Sequence, residues 1–408
     1  SRLTERIMQE YDVSIVGAGS AGLTLALLLA DLPLKIAVLD KGPAPELVTP
    51  SLQRVSALNQ ASKRLLSQLG VWQDLTSAAP YTDMKVWEAD SFGRIEFSAL
   101  EQGCDELGFI VDNEQLRAVL YRKLQSKTNV SCLFQSRIQS ISNSEQQNLL
   151  TIEGQSPILC KLLVAADGAN SFVRQQLHMP IAFWDYQHQA LVAQVRTSEP
   201  HQRCARQVFL PTGPLALLPL ADPHLVSIVW STSPEQAAEL QAMPAQQFNK
   251  ALTAASNAVL GLLQLESDLS SYPLKMRYAS EWVLNKTVLV ADAARTIHPL
   301  AGQGMNLGLM DVAALAELID QQISAQKPVN EQRMLRNYER WRKAEAQTLI
   351  AAMEAFKQGF GRQNPILKLV RGAGMKLTDK LPFVKQKIMA AALGDSGDLP
   401  QRARPTVK

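Results

Sequence analysis

At 408 residues, 46% hydrophobic and 19% charged, the chain has the make-up of a globular protein able to bury two cores, or one large and one small. No apolar run reaches the roughly 18 residues that cross a bilayer, and polar residues 1–10 argue against a secretory leader. The four cysteines, Cys104, Cys132, Cys160 and Cys204, form no C-x-x-C pair, which speaks against a metal or disulfide framework and for a reducing cytoplasm.

A short strand is predicted over 11–16. It leads directly into Gly17-Ala18-Gly19-Ser20-Ala21-Gly22 and an apolar helix over 23–32. In such a unit the first glycine permits a tight turn, the second lets backbone approach a pyrophosphate, and the third lets helix and strand pack closely. A second strand over 35–39 ends on Asp40, about twenty residues beyond the glycines, where a carboxylate reaches an adenosine ribose. Arg54 precedes an amphipathic helix over 60–69 that Gly70 ends, and it either meets a phosphate or stays a surface cation.

Alternation across 81–97 predicts a hairpin with its turn at Ser91-Phe92-Gly93-Arg94, so a second layer begins there. A helix over 113–127 and strands over 130–134 and 149–152 return to the first layer. The strand predicted over 158–165 runs into Asp167-Gly168, which again sets a carboxylate at a strand end. Ser171 caps the helix that follows, and Arg174 pairs with Asp167 or meets a phosphate. Strands over 190–196, 206–210, 215–220 and 225–231 predict an antiparallel sheet walling a substrate pocket, followed by a mostly helical excursion over 234–265.

Residues 287–290 read as a strand, followed by Asp292, a Pro/Gly loop and an apolar helix over 307–319. Backbone N–H groups over 302–306 then form a helix start that favours developing negative charge, and the acid holds a ligand hydroxyl. That geometry suits a reducible ring; an ordinary Gly/Pro turn is the alternative. From Lys357 onward eleven Lys and Arg face three Asp, a net +8 that leaves about −5 on the rest of the chain. With no nucleic-acid motif and apolar residues interleaved, this tail docks on lipid or a partner, or is a solvated helix pair.

Four separated pieces carry a resemblance: Gly17-x-Gly19-x-x-Gly22, Arg54, Asp167-Gly168 and Asp292…Pro299…Gly302-x-Gly304-x-Asn306. In order and spacing they resemble the single-component flavin aromatic hydroxylases related to para-hydroxybenzoate hydroxylase. Residues 54–59, 69–72, 183–193, 222–225 and 296–304 look like the ubiquinone-biosynthesis branch, most of all its bacterial octaprenylphenol hydroxylases. The similarity runs from Tyr11 into the C-terminal tail.

The resemblance implies an α/β fold: a discontinuous Rossmann-type FAD-binding domain (1–80, 101–180, 275–340), an inserted antiparallel-sheet substrate domain (81–100, 181–274) and a basic helical C-terminal region (341–408). It implies that Gly17, Gly19, Ala21 and Gly22 face the FAD pyrophosphate, Asp40 the ribose, Arg54 the phosphates and Asn113 a further part of FAD. Asp167 then serves FAD and a reduced donor such as NAD(P)H, Asp292 holds the ribityl chain, and Gly302, Gly304, Met305 and Asn306 lie near the flavin ring. His298 and Pro299 are the candidates at the substrate edge. No metal is implied.

The reaction implied is ring hydroxylation of a polyprenylated phenol by O₂ through a flavin C4a-hydroperoxide, with membrane contact through the tail and other ubiquinone-biosynthesis proteins as partners. Two departures stand out. Where the family has Gly-Asp-Ala-Ala-His, this chain has Ala291-Asp292-Ala293-Ala294-Arg295. The Ala291 methyl is expected to crowd the ribityl chain or strand end, and Arg295 to add a cation near a phosphate-bearing ligand, so Ala291→Gly with Arg295→His is expected to tighten FAD. A non-catalytic scaffold, or a hydroxylase of a small soluble aromatic acid with a cationic pocket, remains the alternative.

Overall fold

The computed structural model describes residues 7–89, 94–297, 303–360, 394 and 397–406. Its first sheet has a parallel centre: Gln9–Val16 lies between Ile36–Leu39 and Ile158–Ala165, with Val130–Leu133 and Thr287–Leu289 outside them. Val13, Ile15, Ile36, Leu39, Leu162, Leu163 and Val164 are all buried, so these strands read as continuous apolar runs. Ile138–Asn143 pairs with Asn148–Ile152 as an antiparallel flap. It escapes a sequence reading because its Gln, Ser and Asn leave no apolar alternation.

The first helix starts earlier than its apolar pattern suggests, at Ser20–Leu29, because Gly19 supplies the extended residue before it. Pro33, just beyond its end, disfavours continuation. The second sheet is built on the long strand Ile181–Thr197, which pairs antiparallel with Leu225–Thr232 and with Ser270–Ala279. The expected hairpin is present as Asp83–Glu88 and Arg94–Ser98, joined to this sheet by a parallel pairing with Cys204–Leu210. Its expected turn residues 91–93 lie outside the described residues. On one face Trp230, Leu191 and Val208 pack with Phe248 and Leu252 of helix Ala245–Ala255.

A third, small sheet of Val55–Asn59, Gly108–Asp112 and Ala79–Tyr81 is not foreshadowed by the sequence pattern. Gly108 allows it, since a Cβ there would lie 2.3 Å from the Tyr81 hydroxyl. The two large sheets meet where the chain leaves Thr287–Leu289: Thr296 and Arg295 pair with Arg277 and Tyr278 at the end of the antiparallel sheet. The seam places residues 291–297 between both layers.

Helix Gln332–Phe360 closes the described body, and residues 361–393, which hold most of the expected amphipathic tail, lie outside the described residues. The chain then returns to the body. Ala403 is fully buried, its carbonyl accepts Arg64 Nε at 2.7 Å, and Trp341 Nε1 donates to the Asp398 carbonyl at 2.8 Å.

Candidate active site

Packing dictates two of the loop glycines and leaves the third open. Gly17 has φ +111°, and a Cβ on it would lie 2.2 Å from the Ala166 carbonyl oxygen; at Gly22 it would lie 2.0 Å from the Gly17 carbonyl. At Gly19 it would meet nothing within 4 Å. No side chain caps the helix that follows, so its first N–H groups, including that of Ala21, are left without a side-chain acceptor at the positive end of the dipole.

Asp40 ties this loop together: Oδ2 accepts the Ala18 N–H at 2.8 Å and Oδ1 the Gly42 N–H at 2.7 Å. Each oxygen keeps a further lone pair for a ligand hydroxyl. Arg54 is exposed, with its guanidinium 5.8 Å over the Tyr272 ring. The side chain of Asn113 serves the fold instead of facing a ligand alone, because its Oδ1 accepts the Ser56 hydroxyl at 2.6 Å. Sequence reading passed over Arg117, whose Nε donates to the Ala18 carbonyl at 2.6 Å. Its position one helical turn beyond Asn113 was the available signal.

At the second strand end, Asp167 accepts the Ser171 hydroxyl and the Val173 N–H, and Ser171 caps Phe172–Gln176 as expected. Burial pushes the Asp167 carboxyl above the usual range, and these hydrogen bonds oppose the shift. Arg174 feels the Asp167 charge without closing an ion pair with it. It is buried and donates to the carbonyls of Ala293 at 2.9 Å and Ala169 at 2.7 Å, lacing two strand-end loops together. Arg277, also missed, donates to Asn170 Oδ1 at 2.7 Å and stacks 5.7 Å from the Phe183 ring.

Asp292 sits on the turn Ala291–Ala293, open toward the cleft yet ringed by protein elsewhere. Lost hydration is the largest cause raising its carboxyl above the usual range; Asp311 adds to it, while Arg295 and Arg277 oppose. Among the described residues its carboxylate has no hydrogen-bond partner. An uncapped helix start beside an open glycine, with a free carboxylate two strands away, fits the phosphates and hydroxyls of a dinucleotide.

The expectation for Arg295 is corrected. It turns away from the cleft into the protein, where its guanidinium pairs with Asp311 and lies 5.4 Å from the Trp282 ring. The Ala291 methyl likewise points at Gly308 on the long helix, where a Cβ would approach it to 2.8 Å. Asn306 is a buried bracket: Oδ1 accepts the Asn59 N–H at 3.1 Å and the Ser62 hydroxyl at 2.6 Å, and Nδ2 donates to the Ala57 carbonyl at 2.9 Å. Gly304 opens helix Gly304–Ser324 without a side-chain cap, and Met305 packs half-buried against the core. His298, Pro299 and Gly302 lie outside the described residues.

Between the small sheet and the antiparallel sheet lies an apolar pocket formed by Ala57, Met84, Val86, Ala216 and Leu218, with Tyr81 and Gln303 at its polar end. Tyr81 meets the Gln303 side chain, and burial pushes its hydroxyl up to about 12, so it stays a neutral phenol. The one arginine in the described lining, Arg206, donates to the carbonyls of His201 at 2.9 Å and Cys204 at 3.3 Å.

Comparison with known proteins gives concordant matches. Residues 10–353 match the model of the FAD binding domain family. The chain is 32% identical to the mitochondrial ubiquinone biosynthesis monooxygenase COQ6 of Xenopus tropicalis, over 94% of this chain and 93% of that protein. It is 31% identical to the 3-demethoxyubiquinol 3-hydroxylase of Escherichia coli, over 95% and 99%. Among solved structures it matches the p-nitrophenol 4-monooxygenase PnpA of Pseudomonas putida with TM-score 0.76 at 19% identity, covering 94% and 98%, a likeness of fold.

Proposed function

Since the chain belongs to the FAD binding domain family, within the ubiquinone-biosynthesis hydroxylases, and is an FAD-dependent monooxygenase, we propose that its substrate is a polyprenylated phenol, hydroxylated on the ring with O₂ and a reduced donor such as NAD(P)H. The observation that carries this reading is the likeness over 94% or more of the chain to ubiquinone-biosynthesis hydroxylases, and the narrow apolar pocket of about 20 Å³ beside Gln303, whose single described cation is already bonded to carbonyls, agrees with it. A soluble aromatic acid would need a free positive charge there, whereas a lipid-tailed phenol needs apolar walls and a neutral hydrogen-bonding end.

In this reading Gly17, Gly19, Ala21 and Gly22 hold the FAD pyrophosphate at the helix start, Asp40 adds a ribose contact through its spare lone pairs, and Asp292 accepts a ribityl hydroxyl. The FAD, when bound, supplies the activation of O₂. The N–H groups at Gly304 and Met305 stabilise negative charge at the ring edge, while the Asn306 side chain keeps that helix start in place. Tyr81 and Gln303 orient the substrate hydroxyl, and the apolar lining excludes water. His298 and Pro299 stay candidates for the substrate edge.

The test is reconstitution with FAD, NAD(P)H, O₂ and a polyprenylphenol, with products read by mass spectrometry. A gain of one oxygen is expected; turnover of a soluble aromatic acid in its place would replace this substrate class. Docking at an anionic membrane surface, and on other ubiquinone-biosynthesis proteins, belongs to the same proposal and is supported by the basic, apolar composition of the C-terminal stretch. Among the described residues no helix is long and apolar enough to cross a membrane. Salt-sensitive cosedimentation with anionic vesicles tests that contact.

A further inference from the structure

Asp311 is a fully buried carboxylate on helix Gly304–Ser324, and donors of three residues from two parts of the chain converge on it. Arg295 donates through both terminal nitrogens at 2.6 and 3.0 Å, Arg342 through Nε at 2.7 Å, and the Ala291 N–H at 2.8 Å. Arg295 also donates to the Ala291 carbonyl at 2.9 Å. Ala291 is therefore held at both of its backbone polar groups in a left-handed conformation, φ +55°, that alanine adopts only against a steric penalty. Its methyl fits because residue 308 is glycine.

The residue after this clamped alanine is Asp292. We propose that Arg295 and Asp311 are positioning residues for Asp292: they lock the backbone that aims its carboxylate, and Arg295 sets its positive charge beside that carboxylate where FAD would meet it. The charged groups facing Asp292 are Arg295 on its own turn, Arg277 from strand Ser270–Ala279 and Asp311 from the long helix. Arg342 acts through Asp311, and Arg174 is bonded to the carbonyl of the next residue, Ala293. Arg295 and Arg277 pull against the lost hydration and the Asp311 charge that raise its carboxyl. The inference rests on the reading that Asp292 contacts FAD.

The experiment is FAD affinity of the whole protein, by quenching of flavin fluorescence, from about pH 5 to about pH 8. Wild type, Asp292→Asn, Arg295→Met and Arg295→Lys are compared. Wild-type affinity is expected to fall on the acid side as Asp292 takes up a proton, and Asp292→Asn to flatten that fall. Arg295→Met is expected to weaken binding roughly tenfold at neutral pH and to move the fall to higher pH, while Arg295→Lys retains the wild-type midpoint. Weakening that is equal at every pH, with the midpoint unmoved, would overturn the positioning role. An unflattened profile in Asp292→Asn would instead remove the underlying reading and the inference with it.

Should Arg295→Met fail to fold, the methyl contact gives an independent arm. Gly308→Ala improves helix propensity but drives a methyl into that of Ala291, so FAD affinity should fall although the helix gains. Adding Ala291→Gly to it removes the clash and should restore binding. Wild-type affinity in Gly308→Ala alone would show that the turn need not be held where it is.

Discussion

Arg295 and Asp311 form a two-pronged ion pair with contacts of 2.6 and 3.0 Å, and their side chains keep only 1% and 0% of their exposure to solvent. Burial works against the charge on Arg295, but Asp311 outweighs it and the arginine is held firmly protonated. Desolvated pairs of this kind are costly to break from one side, because the partner is left charged and short of donors.

Arg295→His is therefore expected to lower stability by about 3 kcal/mol and not to tighten FAD. The urea midpoint and flavin affinity check both halves. A variant as stable as wild type that binds FAD more tightly would mean that Arg295 does face the cofactor.

The glycine loop should separate folding from binding. Gly17→Ala meets both a left-handed φ and the Ala166 carbonyl at 2.2 Å, and is expected to cost about 3 kcal/mol or to prevent folding. Gly19→Ala meets no protein atom within 4 Å, so its melting temperature without FAD should match wild type while flavin affinity falls. Equal affinity in Gly19→Ala would place the pyrophosphate elsewhere.

Replacing Asn306 by Ala strands the Asn59 N–H, the Ser62 hydroxyl and the Ala57 carbonyl in a buried setting. A loss of about 2–4 kcal/mol is expected by thermal unfolding, and it should be present in the absence of FAD. If the loss appears only with FAD bound, the side chain is a ligand contact and not a bracket.

His201 should make stability depend on acidity. Its Nε2–H is shared between the carbonyls of Leu220 and Asp222 at 2.8 and 2.9 Å, and Nδ1 accepts the Arg203 N–H at 3.0 Å, so the neutral ring is the form that fits. Burial is the main cause holding its pKa below the usual value, with Arg206 adding to it. Below about pH 6.5 the unfolded chain binds a proton that the folded one resists, so stability drops as pH falls through that window. The urea midpoint should decline less between about pH 7.5 and about pH 5.5 in His201→Gln than in wild type. Parallel declines would assign the effect to other groups.

The parallel unit with its glycine fingerprint was legible in the sequence because its spacing is local: the three glycines fall within one strand, turn and helix, although what excludes a side chain at Gly17 is the Ala166 carbonyl at the end of a distant strand. The strand-end acids Asp40, Asp167 and Asp292 were legible for the same reason, since a strand's end fixes where the next side chain emerges. What the sequence left open was which way a side chain turns once distant elements offer it partners. Asn306 meets Ala57 across 249 positions, Arg295 leaves the cleft because Asp311 and Arg342 await it inside, and Arg174 finds a carbonyl 119 residues away. Such choices depend on the hydrogen bonds and charges that only the packed chain brings within reach, and no spacing along one strand or helix encodes them.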